Sequence, residues 1–320
     1  MLFRSPASPP KIYSMTTFSV LVCTFNRPDM LTMALEALIE RTTEKPDQVV
    51  VVNGGDDRSD LVVQKYMSWP GVQVQLVKTA NVNLAVSRNI GFSHCTGDII
   101  ATTDDDAEVF PDWVTQMKHT HSEHPEAGGV GGAVLGAGSV KSLFDRVADV
   151  TVFPTPSEPG YVRTLAGVNI SYKRSIMQSV GLQDETLFRG EDVDYNWRIK
   201  RAGYEIYYSP EIRVIHHHRP TLGGLMNQFY MYGRAYYLVR RKWPEMYSVF
   251  PQRVSSVRDF LRLVYFIIST FSEPFISSMK MSSWIDRILA LPILYLLHIA
   301  WKSGILIQKF ESSASSDHNA

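Results

Sequence analysis

Three consecutive aspartates, Asp104-Asp105-Asp106, follow directly on the β-prone run Asp98-Ile99-Ile100-Ala101-Thr102-Thr103. Like charges a few ångströms apart repel and raise one another's pKa. A divalent cation relieves that cost, because hard cations prefer carboxylate oxygen and Mg²⁺ is held by one or two carboxylates together with substrate phosphates. A second acidic group, Glu191-Asp192-Val193-Asp194, lies at a loop-to-helix junction. There the helix dipole alone favours negative charge, and a carboxylate beside a metal-bound leaving group can serve as general base. His216-His217-His218 offers an imidazole to the same metal. Side chains alternate along a strand, so at most His216 and His218 share a side. Arg88-Asn89 supplies a cation and an amide for a phosphate or a base. Each group has a plainer reading taken alone: a solvated acidic turn, a helix N-terminus, a surface arginine or a core histidine.

The elements that must position these residues are legible in the hydrophobic pattern. Phe18 to Thr24 is almost continuously apolar, as expected of a strand buried on both faces. The loop Phe25-Asn26-Arg27-Pro28-Asp29 follows, with Pro28 suited to a helix start. Leu31, Leu35, Leu38 and Ile39 then recur at helical spacing. Gln48 to Val52 repeats the buried-strand pattern and ends in the turn signal Asn53-Gly54-Gly55-Asp56-Asp57. A helix around Leu61–Met67 and a strand at Val72–Val77 lead towards the run that enters the aspartates. Strands alternating with helices predict βαβ units and a mostly parallel sheet. In such sheets ligands bind beyond the carboxyl ends of the strands. The Asn26 loop, the Asn53 loop and the aspartates all sit at those ends.

Residues 127–160 are rich in Gly and Ala, then in Pro, and read as a strand followed by a mobile loop. Further on come Leu165–Tyr172, a helix from Arg174 to Val180, a helix from the acidic group to Gly203, and a strand that leads to the histidines. The pattern divides the chain into a disordered leader (1–16), two halves of an α/β domain (17–110 and 111–220), a C-terminal helical region (221–310) and a disordered tail (311–320).

The 320 residues carry 32 basic and 32 acidic side chains. A neutral total argues against a chain coated in basic charge for nucleic acid. The neutrality is a cancellation: residues 1–215 hold 20 basic against 26 acidic, and residues 216–320 hold 12 against 6. Two cysteines, Cys23 and Cys95, exclude a disulfide scaffold and a cysteine zinc site, and fit a reducing compartment. In the basic part, Arg219, Arg234, Arg240, Arg241, Lys242, Arg253, Arg258 and Arg262 precede or flank two apolar stretches, 263–271 and 288–301. The second is broken by Pro292 and followed by Lys302, so both are short of the roughly 20 residues of a membrane span. Basic charge beside amphipathic apolar helices suits an anionic membrane surface. The alternatives are a helical subdomain packed on the core or a homodimer interface.

In this order and spacing the motifs resemble family 2 glycosyltransferases of the GT-A, nucleotide-diphospho-sugar transferase fold. The resemblance covers about Phe18 to His218. It rests on Val22-Cys23-Thr24-Phe25-Asn26-Arg27, on Leu84 to Gly91 and on Thr103-Asp104-Asp105-Asp106. It continues through Ala166-Gly167-Val168-Asn169, Gly190-Glu191-Asp192-Val193-Asp194 and Val214-Ile215-His216. The resemblance implies an inverting, metal-dependent transfer of a sugar from a nucleotide-sugar, with Mg²⁺ or Mn²⁺ as cofactor. It places the metal at Asp106, Asp104 and His216, with Asp192 as catalytic base. Thr24, Asn26, Arg27, Asn53, Arg88, Asp104 and Asp105 would bind the donor, and Asn169 and Glu191 the acceptor. A cytoplasmic enzyme attached peripherally to the membrane, acting on a glycan or lipid-linked acceptor and not on nucleic acid, is the expectation that follows.

Two positions depart from the family pattern. Asn53 replaces an aspartate that pairs with the base in many members, so the base is not identified, and Asn83 replaces a common glycine. The Gln-x-x-Arg-Trp motif of processive synthases is absent after Asp194, which predicts transfer of one sugar or few. A nucleotidyltransferase would carry a Gly-rich, lysine-bearing loop where this chain has Phe25-Asn26-Arg27-Pro28. A silent nucleotide- or glycan-binding scaffold is the remaining alternative.

Overall fold

Strand β1 (Phe18–Thr24) shows why the apolar runs are continuous. Phe18, Val20 and Val22 pack into the core on one face of the sheet, and Leu21 into the core on the other. The computed structural model describes residues 16–138, 141–154, 156–218, 221–246 and 248–317. Nearly all of the expected leader, and Arg219, lie outside them.

Four parallel strands form the first half of the sheet, in the order β3 (Gln73–Lys78), β2 (Gln48–Asn53), β1 and β4 (Ile99–Asp104). Helices α1 (Pro28–Leu35, continued as a π-helical turn to Arg41), α2 (Ser59–Gln64) and α3 (Leu84–His94) connect them. The register pairs Thr24 with Asn53 and Cys23 with Asp104, so three polar strand ends meet at one edge.

Beyond β4 the sheet is mixed. The order continues β8 (Ile170–Lys173), β6 (Ala127–Gly136), β9 (Glu205–His216), β5 (Ala107–Val109), with β7 (Gly160–Val162) also on β9. Strand β8 runs antiparallel to β4 and to β6, whereas β6 and β9 are parallel. The pairing of β9 with β6 is interrupted: Gly132 faces Ser209 but the next residue, Ala133, faces Arg213. Pro210, Glu211 and Ile212 bulge between them. Past the bulge, His216 lies opposite both Ala107 and Gly136. Helices α4 (Trp113–Glu123), α6 (Arg174–Val180) and α7 (Glu191–Arg201) cover the faces.

Three sequence expectations are corrected here. The segment read as a strand and mobile loop contains helix α5 (Leu143–Thr151). A capping box starts it: the Asp145 N–H donates to Ser142 Oγ at 3.2 Å and the Ser142 N–H to Asp145 Oδ2 at 3.0 Å. The two apolar stretches lie within much longer helices, α9 (Val257–Met279) and α10 (Trp284–Asp317). By length and composition alone, Val257–Met279 and Trp284–Ser313 are sufficient to cross a membrane. Lys302 does not end α10, because its ammonium donates to Ser269 Oγ at 2.9 Å, to Thr270 Oγ1 at 2.7 Å and to the Phe266 carbonyl, all on α9. The expected tail is helical to Asp317, held near its start by an ion pair between Arg234 and Glu311.

Helix α8 (Leu222–Lys242) joins this region to the sheet. Leu225 of α8, Val147 and Ala148 of α5, and Ala290, Leu294 and Leu297 of α10 share one apolar cluster. Helices α8 and α10 cross at two glycines. A Cβ on Gly233 would lie 1.9 Å from the Trp301 carbonyl oxygen, and one on Gly304 would lie 2.1 Å from that of Tyr230. Both obstacles are backbone, so Gly233→Val should separate the helices. We expect it to destabilise the protein by about 1–3 kcal/mol, read as a lower thermal midpoint.

Candidate active site

The strand register alone brings the acidic run to a histidine. Asp106 immediately precedes Ala107, which pairs with His216, and the His217 N–H donates to the Asp106 carbonyl at 2.9 Å. His216 Nε2 therefore lies 3.3 Å from Asp106 Oδ1. One ligand atom from each of Asp104, Asp106 and His216 falls within 4.8 Å of the others. Two carboxylates and an imidazole suit Mn²⁺ or Mg²⁺, and the crowding of Asp104 and Asp106 is the charge that a cation would offset. The other two histidines have carboxylate partners of their own: His217 points to the other side of the strand, and His218, beyond the end of β9, lies beside His216 but turns to α5. His217 Nε2 is 2.9 Å from Glu108 Oε1, and His218 Nε2 is 3.2 Å from Asp149.

Two arginines organise the remaining carboxylates. Arg27 Nη1 donates to Asp105 Oδ1 at 3.1 Å and to Asp106 Oδ2 at 2.9 Å. Thr24 donates to the other oxygen of Asp105 at 2.8 Å. Arg88, on α3 and only 4% exposed, donates to Glu191 Oε1 at 2.8 Å and to Asp104 Oδ1 at 3.2 Å. Burial pushes Asp105 up to about 6 against the pull of Arg27. It pushes Glu191 up to about 7, with the charge of Asp192 adding and Arg88 opposing. Asp104 is raised by withdrawal from water, again against Arg88. Burial would raise Asp106 too, but His216 and Arg27 together hold it below the usual carboxylate range.

Glu191 and Asp192 open helix α7. Gly190 precedes them at φ 78°, a left-handed conformation natural to glycine, which turns the chain sharply into the helix. Asp192 Oδ2 accepts the Gly167 N–H at 3.1 Å, and its Oδ1 accepts the Val193 N–H at 2.8 Å. Helix α7 is braced from behind. The fully buried Asp194 accepts the Trp243 indole N–H at 2.7 Å, and Lys242 lies at the same distance.

These groups line one cleft of about 410 Å³. Thr24, Arg27, Arg88, Asp104, Asp105, Asp106, Glu191, Asp192 and His216 are all in its wall. Three expected residues are not. Asn26 takes φ 54° to turn the chain after β1, with its side chain against Gly55. Asn53 is fully buried; its amide donates to Asp60 Oδ1 at 2.7 Å and its carbonyl oxygen accepts the Gly55 N–H at 2.8 Å. Asn169 is 1% exposed and spans three elements: it donates to the carbonyls of Ala133 at 2.9 Å and Ile212 at 3.0 Å, and accepts the Trp113 indole N–H at 2.8 Å. The amide and carbonyl of Asn169 are thus engaged below the surface, outside the cleft wall in which the sequence placed it. Conversely, Phe153, Phe188, Arg189, Gln228 and Tyr232 line the cleft although none belongs to the sequence motifs. For Gln228 and Tyr232 the available signal was a helix rich in aromatics starting just after the histidines.

A family model described as glycosyl transferase family 2 matches residues 19–179, just over half of the 320 residues. The chain belongs to glycosyl transferase family 2. It is 27% identical over 214 residues to the glucosyl-dolichyl phosphate glucuronosyltransferase of Haloferax volcanii, across 62% of this chain and 68% of the relative. It is 23% identical over 223 residues to the succinoglycan biosynthesis protein ExoM of Rhizobium meliloti, across 67% and 72%. The fold is similar to that of a mannosyltransferase from Pyrobaculum calidifontis in complex with GDP-Man and Mn²⁺, with a TM-score of 0.60 at 18% identity, covering 91% of this chain and 87% of that one. The protein is thus a family 2 glycosyltransferase with the GT-A fold, and the nucleotidyltransferase alternative falls. If Asn169 is structural in this enzyme, Asn169→Ala should cost about 2–4 kcal/mol of stability through unpaired buried partners. Nucleotide binding, followed by calorimetry, should persist in the folded fraction.

Proposed function

We propose that this chain is a metal-dependent, inverting glycosyltransferase that moves a single sugar from a nucleotide-sugar to a hydroxyl of a lipid-linked saccharide or another surface-glycan precursor. The observation that carries this reading is the placement of Asp192 and the Asp104–Asp106–His216 group in the walls of one cleft. Asp104, Asp106 and His216 would hold the cation. When bound, that cation supplies Lewis-acid neutralisation of the leaving nucleoside diphosphate. Arg27 and Arg88 fix the aspartates beside it and, with Thr24 and Asp105, form the donor side. Asp192 takes the proton from the acceptor hydroxyl. The oxygen then attacks the anomeric carbon on the face opposite the departing diphosphate, and the configuration inverts. Backbone amides hold both oxygens of Asp192, so the base keeps its orientation through the reaction. Glu191 lies beside the acceptor.

The membrane is the proposed location of the acceptor, at its cytoplasmic face. Helix α9 supports this: Val257, Phe260, Ile267, Ile268, Phe271 and Phe275 are each more than half exposed. Arg253 and Arg258 lie at its start, where anionic headgroups would be. The name of the Haloferax relative, a transferase acting on a glucosyl-dolichyl phosphate, is in keeping with a lipid-linked acceptor.

Activity is tested by hydrolysis or transfer with a panel of nucleotide-sugars and Mn²⁺. Asp192→Asn and Asp106→Ala should each lower kcat by at least about 100-fold, and chelation with EDTA should abolish turnover until metal is restored. Unchanged activity in either variant would remove the mechanism. Membrane attachment is tested by vesicle flotation. Removing everything after residue 255 would strip the buried α10 contacts, so the informative variant is Ile267→Asn/Phe271→Ser on exposed α9. It should leave the fold intact and lower binding to anionic vesicles by about tenfold or more. Equal flotation of variant and parent would refute the attachment.

A further inference from the structure

Three arginines line the cleft, and two of them are committed. Arg27 bridges Asp105 and Asp106, and Arg88 bridges Asp104 and Glu191. Arg189 differs. Among the described residues it makes no ion pair, and its guanidinium carbon lies 5.5 Å from the centre of the Tyr232 ring. The Tyr232 hydroxyl in turn accepts the Gln228 amide at 2.8 Å. A guanidinium with a π-face but no anion retains its forked N–H donors for one. Gln228 and Tyr232 belong to α8, which crosses α10 at Gly233 and Gly304. Glycine-mediated crossings bring helix axes to about 8 Å or less. This wall of the cleft is therefore a single helix away from the apolar C-terminal pair.

We propose that Arg189, backed by Tyr232 and Gln228, receives the phosphate that joins an acceptor saccharide to its lipid. The inference rests on the lipid-linked acceptor of the preceding reading. The chemistry is a charge-assisted pair between a guanidinium and a phosphate, which favours two parallel N–H···O bonds. Gly190 alone separates Arg189 from Glu191 and Asp192 in the chain. An acceptor held by its phosphate at Arg189 thus presents its first sugar to the catalytic base. On this reading Arg189 reads the lipid phosphate, and the Asp104–Asp106–His216 group with its cation reads the nucleotide diphosphate.

The test is a titration of the full-length protein with decyl phosphate below its micellar concentration, with decanol as the uncharged control. UDP and GDP with Mn²⁺ serve as donor-side probes. Decyl phosphate should bind the parent protein more tightly than decanol. Arg189→Gln should weaken decyl phosphate by about ten- to a hundredfold, leaving decanol and the nucleotides unaffected, and Arg189→Lys should restore part of the loss. Equal affinity of parent and Arg189→Gln for decyl phosphate overturns the proposal. So does displacement of decyl phosphate by UDP or GDP, which would assign Arg189 to the donor. Inorganic phosphate binding as tightly as decyl phosphate would overturn the lipid-linked source. Loss of nucleotide binding in Arg189→Gln would likewise count against it, and thermal midpoints separate that result from misfolding. The titration needs no turnover, so a failure of the transferase reading in the Asp192 experiment is distinguished from a failure here.

Discussion

The site depends on one buried guanidinium. Arg88 reaches Asp104 at the end of β4 and Glu191 at the start of α7, so it spans the two halves of the α/β domain. Without it, two withdrawn carboxylates would face each other across the cleft with nothing to offset their repulsion. The cost of burying Arg88 is met by two charge-assisted bonds, and removal of either partner would leave an uncompensated charge. This constraint fixes the spacing between the end of β4, where Asp104 lies, and the start of α7, which carries Asp192. Helix α3 itself packs closely under β1 and β2 at Gly91, where a Cβ would lie 2.2 Å from Leu21 and 3.0 Å from Val52.

The C-terminal third is a wall of the site as well as an addition to it. Its positive excess is partly spent inside the protein. Lys242 pairs with Asp184 and Asp194, Arg234 with Glu311, and Arg240 lies over the Tyr236 ring at 4.7 Å. The Lys242 contacts, with Trp243 on Asp194, tie α8 to the back of the helix that carries Asp192. Helix α10 supports α8 from the other side, and Lys302 ties α10 to α9. The outer helices are thereby connected through packed elements to the helix that carries Asp192.

The meeting of polar residues at the strand ends was legible in the sequence because parallel strands obey a simple rule: buried apolar runs end where polar loops converge. Asp104–Asp106, Glu191–Asp192 and His216 come together as their motifs imply. What was not legible depended on contacts between distant segments. Asn169 carries a motif position, yet the indole of Trp113 and two carbonyls consume its amide. Asn53 is held by Asp60, seven residues on, which no periodicity discloses. Helix α5 was hidden by the glycines before it and the prolines after it, although Ser142 and Asp145 form its cap. Lys302 and Pro292 read as breaks in an apolar stretch, whereas hydroxyls and a carbonyl of α9 absorb the ammonium and the helix continues.

The bulge in β9 turns chain length into chemistry. Pairing parity along a strand decides which side chains face which way, and His216, His217 and His218 have three different carboxylate partners. Three bulged residues, Pro210, Glu211 and Ile212, set that parity just upstream. Inserting or deleting one residue there would leave every amino acid of the candidate metal group in the chain but turn a neighbouring histidine towards Asp106. In this fold an indel four or more residues from the site is chemically equivalent to a substitution within it. Relatives that differ in the length of this bulge should therefore be aligned by the face of the strand they present to the aspartates, rather than by the count of histidines.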